Sequence, residues 1–157
     1  MYGNSPIITI FTEIFGIMYK YKQDSDKYIV SIDNHQKLME ALAAFCREQE
    51  IHAGEISGLG AVNSATLRFL DPCTHAYVDK DFNEQMEISS LVGNISEKDG
   101  AVYLHVHVNL GRRDYTVIGG HLAEATINGA CELFIRKYDC KAGRRFDEET
   151  GLNLYDL

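Results

Sequence analysis

From Tyr103 to Leu110 the sequence YLHVHVNL alternates without a break between polar or aromatic and aliphatic side chains. A period of two is the signature of a β-strand, because a helix would scatter those aliphatic residues around its axis. Leu104, Val106, Val108 and Leu110 share one face, which must meet a core. Tyr103, His105, His107 and Asn109 share the other. That second face carries neither Lys nor Glu, the usual occupants of an open solvent face. The fold must therefore contain a strand backed by a core and fronted by two imidazoles.

Other segments repeat the short-strand pattern. Tyr28 to Ile32 reads as a strand. GEISGLGAV (54 to 62) reads as a glycine-punctuated strand with a bend or bulge. Ala65 to Leu70 follows, ended by a turn at Asp71-Pro72. Met86 to Val92 is closed by Gly93-Asn94, Lys98-Asp99-Gly100 turns into the histidine strand as a hairpin, and Thr126 to Arg136 ends the series. One amphipathic helix is expected from about His35 to Gln49. Asp33 is its N-cap, Gln36 the capping-box partner, and Leu38, Leu42 and Phe45 its buried stripe, opposite Lys37, Glu40 and Arg47. The fold class is α+β, a mainly antiparallel sheet with one principal amphipathic helix packed on it.

The imidazole face has a chemical reading. Residues two apart on a strand lie roughly 6.6 Å apart and point the same way, so His105 and His107 can converge on one ion. His121 follows Gly119-Gly120, a pair that lets the backbone turn closely and bring in a third ligand. Three neutral imidazoles with an open position suit zinc, and also nickel or iron. Asp114, Glu124 and Glu132 are candidates for a fourth ligand or a supporting partner. The plainer role for such histidines is to satisfy backbone groups. Cupins also carry HxH, but the glutamate they need a few residues later is absent from NLGRRD. Arg112 and Arg113 stand near the histidines in sequence and could hold a small anionic ligand, the alternative being solvated loop charges. No Ser-His-Asp or Cys-His arrangement is visible from spacing.

The totals set outer limits. A chain of 157 residues suits one domain with a sizeable core. The formal net charge of −8 argues against a general nucleic-acid or anionic-membrane binder. A local basic cluster does occur near the C-terminus, at Arg136, Lys137, Lys141, Arg144 and Arg145. None of the four cysteines forms a CxxC pair. Cys46 and Cys131 sit in apolar runs, whereas Cys73 and Cys140 sit in polar ones. A reducing, cytoplasmic setting is the simplest expectation. The N-terminal run PIITIFTEIFGIMY is too short and too polar to span a bilayer and lacks a basic leader, so no membrane association is expected.

The run HVHVNLGRRDYTVIGGHLAEATINGACELFI resembles the signature of the PPC domain family, named for plants and prokaryotes. GLGAVNSATLRF is similar to that family's glycine-rich strand pair, MEISSLVGNIS to its EILSL-Gly segment, and RRFDEETGLNLYDL to the tail of bacterial members. The resemblance divides the chain into residues 1–13, an N-terminal extension or docking strand, and residues 14–157, a single PPC-like domain. It implies a homotrimer, with a metal, often suggested to be zinc, at positions matching His105, His107 and His121. The family is also labelled DNA-binding, but in plant members that activity resides in an AT-hook. The nearest match here, Gly143-Arg144-Arg145, lacks the proline and leads into FDEE. The first expectation is thus a trimeric metal- and small-ligand-binding module, with enzymatic activity left open. A DNA-binding regulator and a trimeric protein-interaction scaffold stand behind it.

Overall fold

The computed structural model describes residues 12–14 and 17–157. In chain order the elements are β1 (Thr12–Ile14), β2 (Ile17–Asp24), β3 (Lys27–Ile32), α1 (Leu38–Glu48), β4 (Gly54–Asp71), β5 (Ala76–Phe82), β6 (Met86–Lys98), β7 (Ala101–Gly111), β8 (Val117–Lys137), β9 (Gly143–Asp147) and β10 (Leu152–Asp156). The architecture is a mostly antiparallel sheet with one helix. Much of the apolar N-terminal run lies outside the described residues. Its Thr12–Ile14 portion pairs antiparallel with β2.

Two strands are far longer than their sequence patterns suggest, β4 at 18 residues and β8 at 21. Length lets each pair twice. One half of β4 lies between β6 and β8, and the other between β5 and β8. β7 in turn joins β6 to the first half of β8. The pairings β4–β6–β7–β8–β4 therefore close a ring, which leaves these central strands few open edges. Register shifts between Gly58 and Gly60, and at three further points along β4, give the bends such closure needs.

The aliphatic face of β7 is buried as its alternation requires, with Val106, Val108 and Leu110 each at most 3% exposed. It shares one core with the helix, whose Leu38, Leu42 and Phe45 are buried. Phe45 meets the rings of Tyr19, Tyr21 and Tyr28 edge-on, at centroid distances of 5.3–5.4 Å. Burying each of these large side chains contributes about 2 kcal/mol. Cys46 and Cys131 belong to the core, where burial pushes both thiols up to about 12, and Cys73 and Cys140 are exposed.

Three local expectations are corrected. The helix begins at Leu38, with Lys37 at the N-cap and no side-chain cap. Residues 35–37 instead pair with β8, through His35 N–H to the Ile127 carbonyl, Ile127 N–H to the Gln36 carbonyl, and a Lys37–Thr126 bridge. Those bonds keep the stretch out of the helix, with His35 in a turn at φ 67° and Lys37 extended, and Asp33 faces Lys20 at 3.7 Å. Second, Gly93-Asn94 does not end a strand, since β6 runs on to Lys98. A Cβ at Gly93 would lie 2.8 Å from the His105 carbonyl, so the glycine permits close strand contact. Third, Gly119-Gly120 is not a turn. Both residues are paired within β8, opposite Asn109 and Val108. The Asp99-Gly100 hairpin does form, with both residues at positive φ, the geometry of a type I′ turn.

Candidate functional site

The histidine cluster is a product of strand register. His105 and His107 project from the same face of β7, and His107 lies directly opposite His121 of β8. The close approach of those two strands depends on Gly119, where a Cβ would fall 2.6 Å from Asn109 Oδ1 and 2.7 Å from the Val108 carbonyl oxygen. The three rings are mutual neighbours, with centroids 5.1–5.4 Å apart. Their ligating nitrogens all lie within 4.8 Å of one another, and the Nε2 atoms of His105 and His107 are 3.2 Å apart.

That spacing fits a tetrahedral ion. Nitrogens about 2.05 Å from such an ion sit about 3.3 Å from each other. Two of the donors are also held in the ligating form. Burial, the neighbouring imidazoles and Arg68 lower His121 to about 4, with Asp79 opposing. Burial, then His107, then Arg144, lower His105 as well. Both rings therefore stay neutral at pH 7, with a lone pair to offer.

The cluster opens into a pocket of about 330 Å³ walled by Phe69, Leu70, Leu152 and Leu154. Two arginines line it, Arg68, which sequence does not single out, and Arg144, which sequence places only in the C-terminal basic cluster. Arg68 of β4 lies opposite His121 and makes a bidentate pair with Asp79 of β5, at 2.9 and 3.0 Å. Arg144 of β9 arrives because β9 touches β6 at the Glu97–Gly143 parallel bridge. Its Nε donates to Ser96 Oγ, Nη1 to the Asn153 carbonyl and Nη2 to Asn94 Oδ1, at 2.7, 2.7 and 2.8 Å. The guanidinium lies between Tyr103 and Tyr155, 4.8 and 4.2 Å from their ring centres.

The remaining expected residues fall elsewhere. Arg112 and Arg113 line a separate recess with Glu84 and Asp114, and Arg112 pairs with Glu84 at 2.7 Å. Five residues of strand beyond His107 amount to about 16 Å. None of the three carboxylates expected beside the histidines is there. Asp114 accepts hydrogen bonds from the Thr116 amide and hydroxyl, which closes its own turn. Glu124 accepts from the backbone N–H groups of Met39 and Ala125, so it caps α1 from across the core. Glu132 lies opposite Ser31 and Leu59, in the other half of β8. The C-terminal basic cluster is largely matched by carboxylates, Arg136 by Asp26, Lys141 by Glu97 and Arg145 by Asp156. Among the described residues no helix is long and apolar enough to cross a membrane.

The profile of the Plants and Prokaryotes Conserved domain matches residues 19–139. A solved structure from Bacteroides thetaiotaomicron, designated a candidate DNA-binding protein, is 50% identical, with a TM-score of 0.86 over 88% of this chain and 96% of its own. A protein of Archaeoglobus fulgidus described as metal-containing is 34% identical, with a TM-score of 0.79 over 98% of this chain and 99% of its own. A plant- and prokaryote-conserved protein of Pyrococcus horikoshii is 26% identical, with a TM-score of 0.78 over 92% and 98%. No curated protein matches the chain.

Proposed function

This chain belongs to the Plants and Prokaryotes Conserved domain family, and on that footing we propose that it is a metal- and small-ligand-binding module, assembled as a homotrimer, in which His105, His107 and His121 hold a divalent ion. Zinc is the best fit to three neutral imidazoles. The observation that carries this reading is the convergence of the three ligating nitrogens within 4.8 Å on a rigid strand pair. The metal-containing designation of the Archaeoglobus fulgidus relative supports it.

The residues divide the work. The two strands fix the imidazoles, burial favours the neutral form of His105 and His121, and Phe69, Leu70, Leu152 and Leu154 give the pocket an apolar lining. A divalent ion bound there would supply a Lewis-acid centre with an open coordination position. Replacing His105 and His107 together by Ala should abolish stoichiometric metal in the purified protein, measured by elemental analysis. Equal, substoichiometric metal in both proteins would sink the reading.

The designation of the Bacteroides thetaiotaomicron relative favours a second reading, DNA binding. The net charge of −8 and the paired basic side chains weigh against it. Fluorescence anisotropy with duplex DNA at low ionic strength decides, since electrostatic binding is strongest there. No signal at low salt would remove the idea.

A further inference from the structure

We infer that Arg144 is the anion-binding group of the histidine pocket and that the pocket's ligand is a small organic carboxylate, with its charged end on Arg144 and its other end toward the three imidazoles. The part played by the imidazole end rests on the metal reading above. The part played by Arg144 does not.

The two arginines of the pocket differ in one respect that decides their roles. Arg68 spends Nε and Nη2 on both oxygens of Asp79, so its charge is already matched. Arg144 meets a hydroxyl, an amide oxygen and a backbone carbonyl. These acceptors fix the guanidinium in place without cancelling its charge, and among the described residues no carboxylate pairs with it. The rings of Tyr103 and Tyr155 both lie within cation–π distance of it. A half-buried cation, oriented by neutral partners and open to a cavity, is arranged to receive an anion.

Donor arithmetic narrows the anion. A guanidinium has five N–H groups, and three are spent, which leaves one on each terminal nitrogen. Two donors on one cation match the two oxygens of a carboxylate. A phosphate would bring further oxygens toward Asn94 Oδ1 and the Asn153 carbonyl, which are themselves acceptors. The volume of about 330 Å³ is at the small end for ligand pockets. Its Phe69, Leu70, Leu152 and Leu154 walls suit an apolar body. Arg144 and the three imidazoles line the same pocket, so one ligand can reach both ends.

The test uses the zinc-loaded full chain, with propionate and benzoate as probes and their amides as neutral isosteres, followed by NMR titration. The acids should bind at least about tenfold more tightly than the amides, the worth of a charge-assisted hydrogen bond. Arg144→Gln should lose that preference while elemental analysis shows its zinc unchanged, and Arg145→Gln should keep both. Arg144 also ties β9 to β6, so the acid–amide comparison is repeated on chelator-treated wild-type protein, where a preference for the acid cannot come from the metal and does not depend on whether the variant folds. Equal binding of acid and amide would overturn the assignment. Loss of the preference in Arg112→Gln with retention in Arg144→Gln would do the same. Negligible zinc in the wild type, with the acid preference still dependent on Arg144, would remove the metal reading and leave the Arg144 assignment standing.

Discussion

At the scale of single residues, two of the site's imidazoles keep their neutral form to lower pH than a free histidine does. A free His121 would titrate near 6.5, and in the fold it stays neutral down to about 4. Between those values the unfolded chain binds a proton that the folded chain refuses. Stability of the metal-free protein therefore falls as pH drops through that window, and His121 adds no further loss below it. His105 is lowered too and acts in the same direction. Glu124 is raised, chiefly by burial, and opposes them. Urea denaturation of chelator-treated protein at pH 7 and pH 5 should show a lower midpoint at pH 5. That interval lies above the range in which Asp26 and Asp114, both lowered by their hydrogen-bond partners, titrate. His121→Gln should shrink the difference, and an equal drop in the variant would refute the account. His105 and His107 were legible in sequence because alternation fixes which side chains share a strand face, whereas His121 was marked by the family resemblance and its place opposite His107 depends on strand register. Arg144 was not, because its place depends on a strand contact between β9 and β6 that no local pattern encodes.

At the scale of elements, the helix shows how tertiary bonds override local signals. Asp33 and Gln36 have the spacing of a capping box, yet the backbone of residues 35–37 bonds to β8 and the helix starts later. Glu124 then supplies the missing cap at the Met39 N–H, 2.8 Å away. Glu124→Ala should cost about 1–2 kcal/mol, the range for losing an N-cap or leaving a buried donor unpaired. The far end of the helix closes differently. Ile51 N–H donates to the Cys46 carbonyl and Glu50 N–H to the Arg47 carbonyl, a Schellman pattern, with Glu50 at φ 50°. Glycine is the usual residue in that left-handed position because it lacks a Cβ. Glu50→Gly is expected to stabilise the protein by about 0.5–1 kcal/mol, since relief of the left-handed strain exceeds the added chain entropy. Thermal unfolding of both variants checks these signs. A Glu124→Ala protein as stable as wild type would mean that the carboxylate does not cap the helix. The long strands were hidden for a related reason. Glycines within β4, β6 and β8 punctuate the sequence as turns would, but they serve bulges and close strand contacts.

At the scale of the whole molecule, the ring of strands connects the histidines to an unusual surface. Cross-strand partners run from Ile29 to Phe134, to Ser57, to Val92 and on to His107, which itself faces His121. The three large members of that row are open to solvent, Ile29 at 54%, Phe134 at 64% and Val92 at 58%. Ile29, Val92 and Phe134 also line a groove of about 790 Å³ on the sheet's outer face. Scattered apolar side chains need no explanation, but a contiguous row on a sheet face marks a surface that is covered in use. Another copy of the same chain is the occupant that agrees with the proposed homotrimer, and the row would bring that copy up beside the histidine pocket. Phe134→Glu tests the point with little risk to the monomer, because its side chain already faces water. Light scattering should report a fall from the trimer mass toward that of one chain, with the circular dichroism spectrum unchanged. An assembly mass equal to the wild type's would move the interface elsewhere. If the trimer does dissociate, metal content then separates two arrangements. Retained metal means that the three histidines of a single chain suffice, whereas lost metal means that the neighbouring copy holds the pocket in shape.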